Sequence, residues 1–274
     1  MALPSANQEI TFANIQTEFG GSHPISISEY YRGNGGVVSS NSDNDAIPTG
    51  GNNNEISMSH FASTVFKSYV SWIVVAGGGG GGGGAQSGGV SGNPRASSGT
   101  NSVLSGTNSF STVTASGGQG GRSGHSSVQG NPTPNAAHGD HSPLTNTGRG
   151  VKGTWSAGAG GNASQPGAGG GGASGNNDTG YDDNDGYGGE GGSAGQMQTG
   201  NAYLVPGTVL TLNVGAGGAG RTDTHTNGGN GYKGEIRVTE NAPNSGGTFA
   251  DSTTTHTNAS SNGSLTISDT AYSG

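Results

Sequence analysis

The stretch VSWIVVAGGGGGGGG, residues 70–84, joins an apolar, β-branched run directly to eight consecutive glycines. The first half has the composition of a buried strand. Glycine loses more backbone entropy on ordering than any other residue, so a chain that uses 60 glycines in 274 residues must recover that cost elsewhere. Close packing of bare backbones can recover it. Polyproline-II-like chains have no internal hydrogen bonds and can pair sideways with neighbours where no side chain intervenes. At about 3.1 Å per residue, eight glycines span roughly 25 Å. The apolar lead-in marks the run as a scaffold element, since a disordered linker has no use for one. Outward from this stretch the theme returns in GGQGG (117–121), AGAGG (157–161), GAGGGGASG (167–175), GYGGEGGSAG (186–195) and NGGNG (227–231). TLNVGAGGAG (211–220) repeats the whole order of strand and then glycine run. Doubled glycines and the eight-residue run break the strict third-position glycine of collagen, which excludes a triple helix.

With 27% hydrophobic residues the chain has the hydropathy of a disordered one, but only 9% of its residues are charged and its apolar residues cluster in short runs. An ordered, all-β protein with a small conventional core is expected. Nine Lys plus Arg against 17 Asp plus Glu, a net charge of -8 and no basic run argue against nucleic-acid binding. Met1 leads into ALPSANQEI, which is no signal peptide, and no run approaches the ~20 apolar residues of a membrane span. Synthesis in a cytosol as a soluble chain is expected, and the absence of cysteine fits it.

Composition divides the chain into residues 1–66, 67–240 and 241–274, the last rich in Ser, Thr and Asn. The first segment carries one pattern three times, ITFANI (10–15), ISISEY (25–30) and ISMSHF (56–61). A Ser or Thr hydroxyl capping a first turn, stapled by flanking apolar residues, reads each copy as a capped helical turn, with a strand as the alternative. In the second segment strands are expected over 69–76, 103–104, 110–115, 153–157, 202–205, 208–214 and 235–239, with a tight turn at Pro206-Gly207. The expected architecture is a β-sandwich with polyglycine-II-like segments leaving its ends, preceded by a short module of helical turns.

Chemical motifs are weak against this background. GGSAG (191–195) matches a nucleophile elbow, yet no apolar strand precedes Ser193 and no helix-forming sequence follows it. Lys152 and Lys233 are followed by glycine where a phosphate-binding loop needs Ser or Thr. HGDH offers His138 and His141 with Asp140 between them but no sequence-adjacent third ligand of suitable geometry, and Asp182, Asp183 and Asp185 depart from calcium-loop spacing. No catalytic residue, metal or cofactor is assigned. The polar loops at 85–102, 122–149, 173–187 and 221–230 carry Arg95, Arg122, His125, His138, His141, Tyr181, Tyr187, Arg221 and His225 among small polar residues. Recognition loops use that mixture, because aromatics supply area at low entropy cost while small polar residues adapt.

The order ITFANIQTEFGG, ISISEYYRGNGG, an IP turn and ISMSHF, over about residues 8–62, resembles a module at the start of tailed-bacteriophage tail and fibre proteins. WIVVAGGGGGGGG, VTASGGQGGRSG, YLVPGTVLTLNVGAGGAG and NGGNGYKGEIRV, over about 70–239, resemble the glycine-rich domain of phage tail-fibre proteins and distal adhesins. In T-even-like adhesins such runs form a lattice of polyglycine II helices, and the loops leaving it bind a host receptor. The resemblance implies a non-enzymatic virion protein of the tail fibre or tail tip, made in the host cytoplasm. It implies docking on other tail proteins through residues such as Ile15, Phe19, Tyr30, Tyr31, Met58 and Phe61. Its loops would contact an outer-membrane protein or surface glycan of the host, with several copies, or a homo-oligomer, on one particle. A purely structural tail or decoration protein is the alternative, and a glycine-rich ice-binding or cell-wall protein is a rival that calls for a secretion signal or a regular tripeptide repeat, neither of which is read here. The shorter amino-terminal segment and the tail after residue 240 depart from those adhesins. That leaves open whether the glycine runs form a lattice or line a sandwich.

Overall fold

A computed structural model describes residues 3, 8–20, 27–32, 38, 44–49, 55–62, 67–85, 94–124, 137–153, 158–174, 188–205, 207–222, 226–241, 253–257 and 262–267. The described part is mostly strand and extended chain, with very little helix: an all-β protein built on two antiparallel sheets.

Each copy of the amino-terminal pattern is a helical turn. In the first, Thr11 caps the helix α1 (Phe12–Phe19). Its Oγ1 accepts from the Asn14 N–H at 3.2 Å while Asn14 Oδ1 accepts from the Thr11 N–H at 2.9 Å, a reciprocal cap with Asn in the place of Glu. The helix stops at Gly20, whose φ of +75° favours glycine. The other two copies are single 3-10 turns, Ile27–Tyr30 and Met58–Phe61, and in the latter the Ser57 N–H donates to His60 Nδ1 at 3.1 Å. These turns bring Ile15, Phe19, Tyr30, Val38, Ile47 and Phe61 into one buried cluster. Phe61 stands at its centre, 6.2 Å from the Phe19 ring and 6.0 Å from the Tyr30 ring, and the Tyr30 hydroxyl donates to the Gly20 carbonyl at 2.8 Å.

The two sheets share a second core. One sheet has the order β4 (Met197–Leu204), β1 (Ser68–Val75), β6 (Glu235–Asn241), β7 (Thr253–Thr257). The other has the order β3 (Val113–Ala115), β2 (Ser102–Gly106), β5 (Val209–Asn213), β8 (Gly263–Thr266). Val70, Val74, Ile236, Val238 and Leu204 of the first sheet form a single buried cluster with Leu104, Leu210, Leu212 and Ala115 of the second. Trp72 reaches Phe110 edge-on, with ring centroids 5.2 Å apart. Strands were expected at all of these β1 to β6 positions, although β3 starts at Val113 and not at Phe110, while β4 begins at Met197, well before Ala202. Of the strand expected over 153–157, only Gly153 is described, and it lies in a glycine segment. The turn between β4 and β5 closes with the Thr208 N–H on the Val205 carbonyl at 3.2 Å, and Gly207 takes a φ of +79°. Strands β7 and β8 were not expected. They come from the Ser/Thr/Asn-rich stretch and complete one edge of each sheet, with Ile267 buried just beyond β8.

From the ends of β1 to β6 run the glycine-rich segments 76–84, 94–101, 116–124, 189–196, 215–221 and 226–234, and four more, 137–142, 147–153, 158–164 and 167–174, pack beside them, joined in pairs by turns at 143–146 and 165–166. Their hydrogen bonds have a period of three. Along 76–84 the N–H groups of Ala76, Gly79 and Gly82 donate to segment 189–196, those of Gly77 and Gly80 to 94–101, and those of Gly78, Gly81 and Gly84 to 226–234. The carbonyls of the same segment accept from 116–124, 167–174 and 215–221. Segment 76–84 is therefore ringed by six others, antiparallel to the three it donates to and parallel to the three it accepts from. Segment 167–174 is ringed likewise by 76–84, 137–142, 147–153, 158–164, 189–196 and 226–234. Two segments with complete shells that share two neighbours account for all ten.

The remaining chemistry of the segments follows from their place in the array. Both ringed segments are buried along their whole length. A Cβ on Gly79, Gly80, Gly81 or Gly82 would stand 2.0–2.1 Å from a neighbouring carbonyl oxygen, where no side chain fits. Outer segments instead expose every third residue: Ser116, Gln119 and Arg122; Glu190, Ser193 and Gln196; Ala216, Ala219 and Thr222. The doubled glycines that break collagen's rule thus follow a three-residue period of their own, carried by the hydrogen bonds. At the base, buried Ser102 joins sheet to array: its Oγ donates to the Val75 carbonyl at 2.7 Å and accepts from the Gly215 N–H at 2.8 Å.

Candidate functional site

Segments 76–84, 116–124, 147–153, 167–174 and 215–221 run away from the sheets, and the other five return. Their far ends are held together by short contacts. The Gly84 N–H donates to the Thr226 carbonyl at 3.1 Å, Gly124 to Gly83 at 3.0 Å, Ser123 to Pro94 at 2.8 Å, Gly189 to Ala173 at 2.8 Å and Ser174 to Gly158 at 3.0 Å. Thr226 Oγ1, buried, donates to the Ser174 carbonyl at 2.6 Å, and Ser174 Oγ accepts from the Gly158 N–H at 2.7 Å. The Ala137 N–H on Gly189, the Gly153 N–H on Gly172 and the Gly228 N–H on Arg221 add the remaining three segments, so ten segment ends are gathered at one end of the array, and residues 86–93, 125–136, 154–157, 175–187 and 223–225 connect them. The segments position this end because their hydrogen bonds fix both their spacing and their register.

Of the expected recognition residues, Arg95, Arg122 and Arg221 lie on three adjoining segments at this end. Arg95 and Arg122 are exposed and bridge each other through their backbones, and Arg95 Nη1 donates to the Gly120 carbonyl at 2.8 Å. Glu190, on the next segment, accepts the Arg122 N–H on Oε2 at 3.2 Å. His138 lies one residue inside the far end of segment 137–142, across the array from the arginines, and His141 lies at the opposite end of that segment. His138 Nδ1 accepts from the Lys152 N–H at 3.2 Å. Partial burial, with further contributions from Arg149, Lys152 and His141, holds the His138 imidazole below the usual histidine range. His125, Tyr181, Tyr187 and His225, and the calcium candidates Asp182, Asp183 and Asp185, lie outside the described residues. Among the described residues no group of three metal-ligating side chains occurs. Residues 191–195 belong to segment 189–196, so Ser193 sits on an extended backbone and not on a strand-to-helix turn.

The expected docking residues divide. Ile15, Phe19, Tyr30 and Phe61 are fully buried in the core of their own module, which leaves them no surface to offer a partner. The pattern that nominated them was a core pattern: large apolar residues spaced to meet beneath capped turns. Tyr31 and Met58 are half-exposed and stay available for contact. Missed by the sequence reading were Glu190, beside Arg122, and Lys152, beside His138, each brought in by pairing between segments distant in sequence.

Comparison with protein families, with curated proteins and with solved structures finds no match. No described helix is long and apolar enough to cross a membrane.

Proposed function

We propose that this chain is a non-enzymatic virion protein of a tailed bacteriophage, a tail-fibre or tail-tip component that carries host recognition at the far end of a polyglycine II array. In this reading the two sheets form a β-sandwich, and the ten segments form a hexagonal lattice of three-residue helices built on it. The amino-terminal module attaches the chain to other tail proteins through half-exposed residues such as Tyr31 and Met58. The observation that carries the reading is the gathering of ten rigidly registered segment ends at one end of the array. A scaffold that excludes side chains from its interior, while holding several connecting segments side by side, suits presentation of a variable surface. Likeness of the sequence to phage adhesins supplies the partner: an outer-membrane protein or surface glycan, bound weakly per copy and strengthened by several copies on a particle.

The test is adsorption of purified full-length protein to a panel of Gram-negative cells, alongside a variant in which residues 125–136 and 175–187 are replaced by Gly-Ser segments of equal length. Saturable binding by the parent and its loss in the variant are expected. Phage that adsorb normally while carrying the variant would overturn the reading in favour of a structural tail protein.

A further inference from the structure

The register of the glycine segments aligns three arginines that are far apart in sequence. Ala96 donates to Gly121 and Gly99 to Gly118, which sets residue 95 opposite residue 122; Ser97 donates to Ala219 and Thr100 to Ala216, which sets residue 95 opposite residue 221. Arg122, Arg95 and Arg221 therefore stand at one level on three consecutive segments, with Arg95 in the middle. The backbone bridge between Arg95 and Arg122 marks the first pairing directly, and the Arg221 N–H on Gly81 and the Gly121 N–H on Gly80 place both flanks at the same height on the central segment. Bridged antiparallel residues have Cα atoms about 4.5–5.5 Å apart, so the row sets three arginines within the span of one short anionic stretch, Arg95 and Arg122 exposed and Arg221 half-buried beside the outward-facing Thr222.

Such a row is unusual in this molecule. The chain has nine Lys plus Arg in total and a net charge of -8, yet three of its arginines converge where the segment ends are gathered. Juxtaposed like charges disfavour the fold, if only slightly when exposed, while Arg95 Nη1 donates to the Gly120 carbonyl and so holds its side chain toward the segment that carries Arg122. Glu190 flanks the row on the far side of Arg122, where its Oε2 accepts the Arg122 backbone N–H. Arginine is also the side chain suited to the chemistry, because its planar fork donates two parallel hydrogen bonds to a carboxylate or a phosphate.

We propose that Arg122, Arg95 and Arg221 form an anion-binding row for a polyanionic glycan, one that carries carboxylate or phosphate groups on successive sugars. The proposal rests on the host-recognition reading for its biological setting and deepens it by naming the ligand class.

Full-length protein is titrated with polygalacturonate, which carries carboxylates, with phosphomannan, which carries phosphates, and with neutral dextran. Binding to at least one polyanion, loss of roughly tenfold in affinity for each arginine changed to glutamine, and weakening between about 50 and 200 mM salt are expected. The two polyanions tell which acid the row takes. R122K, which keeps the charge and removes the fork, should fall between parent and R122Q. Equal affinity for neutral and anionic glycans, or an R95Q/R122Q/R221Q variant that binds as the parent does, overturns the proposal. Thermal melting of each variant accompanies the titration; should the triple variant melt early, the single variants decide the same question. Parent that binds polyanion without adsorbing to cells would sink the host-recognition reading alone, whereas adsorption undiminished in the triple variant would sink the row alone.

Discussion

At the scale of single residues, the array separates positions that admit only glycine from positions that admit anything. A Cβ on Gly80 would lie 2.1 Å from the Ala219 carbonyl oxygen, and one on Gly81 would lie 2.0 Å from that of Gly171. Both obstacles are backbone, held in turn by their own hydrogen bonds, so neither can yield as a flexible side chain would. Gly80→Ala and Gly81→Ala are each expected to cost at least about 1–3 kcal/mol, well beyond any change in backbone preference. Gln119→Ala, at an outward position, should fall within about 0.5 kcal/mol of the parent. Chemical denaturation of the three variants checks this, and equal midpoints would show that segment 76–84 is not packed as described. His138 offers a second residue-scale outcome. Its folded form favours the neutral imidazole, so the unfolded chain takes up the proton first as pH falls. Its contribution is complete above the unfolded value near 6.5 and is lost as pH falls through the lower, folded one. An NMR titration should find His138 below 6.5, and His138→Gln, which keeps an acceptor for the Lys152 N–H, should flatten the acid limb of the stability profile. A His138 midpoint at or above 6.5 would contradict the cause assigned here.

Elements were legible where side-chain pattern and backbone demand coincide. The apolar, β-branched run of β1 and the Thr11 and Ser57 caps were visible because each depends on residues close in sequence. The glycine segments were legible one at a time, but their three-residue period was masked: at ringed positions all three residues of a turn must be small, so the outward one shows only on the outer segments. Which segments adjoin could not be read at all, since pairings such as Gly78 with Tyr232 span 154 residues and carry no side-chain signature. For the same reason Arg95, Arg122 and Arg221 were legible as loop residues and not as a row. Strand β7, TTTHT, lacks the apolar half of a strand pattern and is recognised only by the edge of β6 that it completes. β8 carries more, for Leu265 packs on the shared core and Ile267 is buried beside it. Ile267→Ala should therefore cost about 2–5 kcal/mol and lower the melting temperature by roughly 2–4 °C for each kcal/mol lost. Differential scanning calorimetry measures this, and a shift below one degree would mean that the stretch after residue 241 is the dispensable tail its composition suggests.

For the whole molecule, what matters is that two different packing rules meet at one boundary. Below the boundary, apolar side chains from two sheets exclude water; above it, backbone hydrogen bonds do so with almost no side chains present. Ser102, bonded to Val75 and to Gly215, stands at the join. Because each glycine segment bonds to partners distant in sequence, none can open while its neighbours stay intact without stranding N–H and carbonyl groups on several others. Cooperative opening follows, and so does a gradient of protection. The amides of 76–84 and 167–174 donate and accept within complete shells, while outer segments such as 137–142 and 158–164 keep one flank in solvent. Native-state hydrogen exchange, corrected for the fast intrinsic rate of glycine, should place the two ringed segments near the global unfolding free energy and the outer ones below it. Gly80→Ala should then accelerate exchange across all six surrounding segments together, since one displaced carbonyl breaks the register that they share. Acceleration confined to residues 79–82 would indicate ten loosely coupled strands, and a scaffold of that kind could not hold Arg122, Arg95 and Arg221 at a single level.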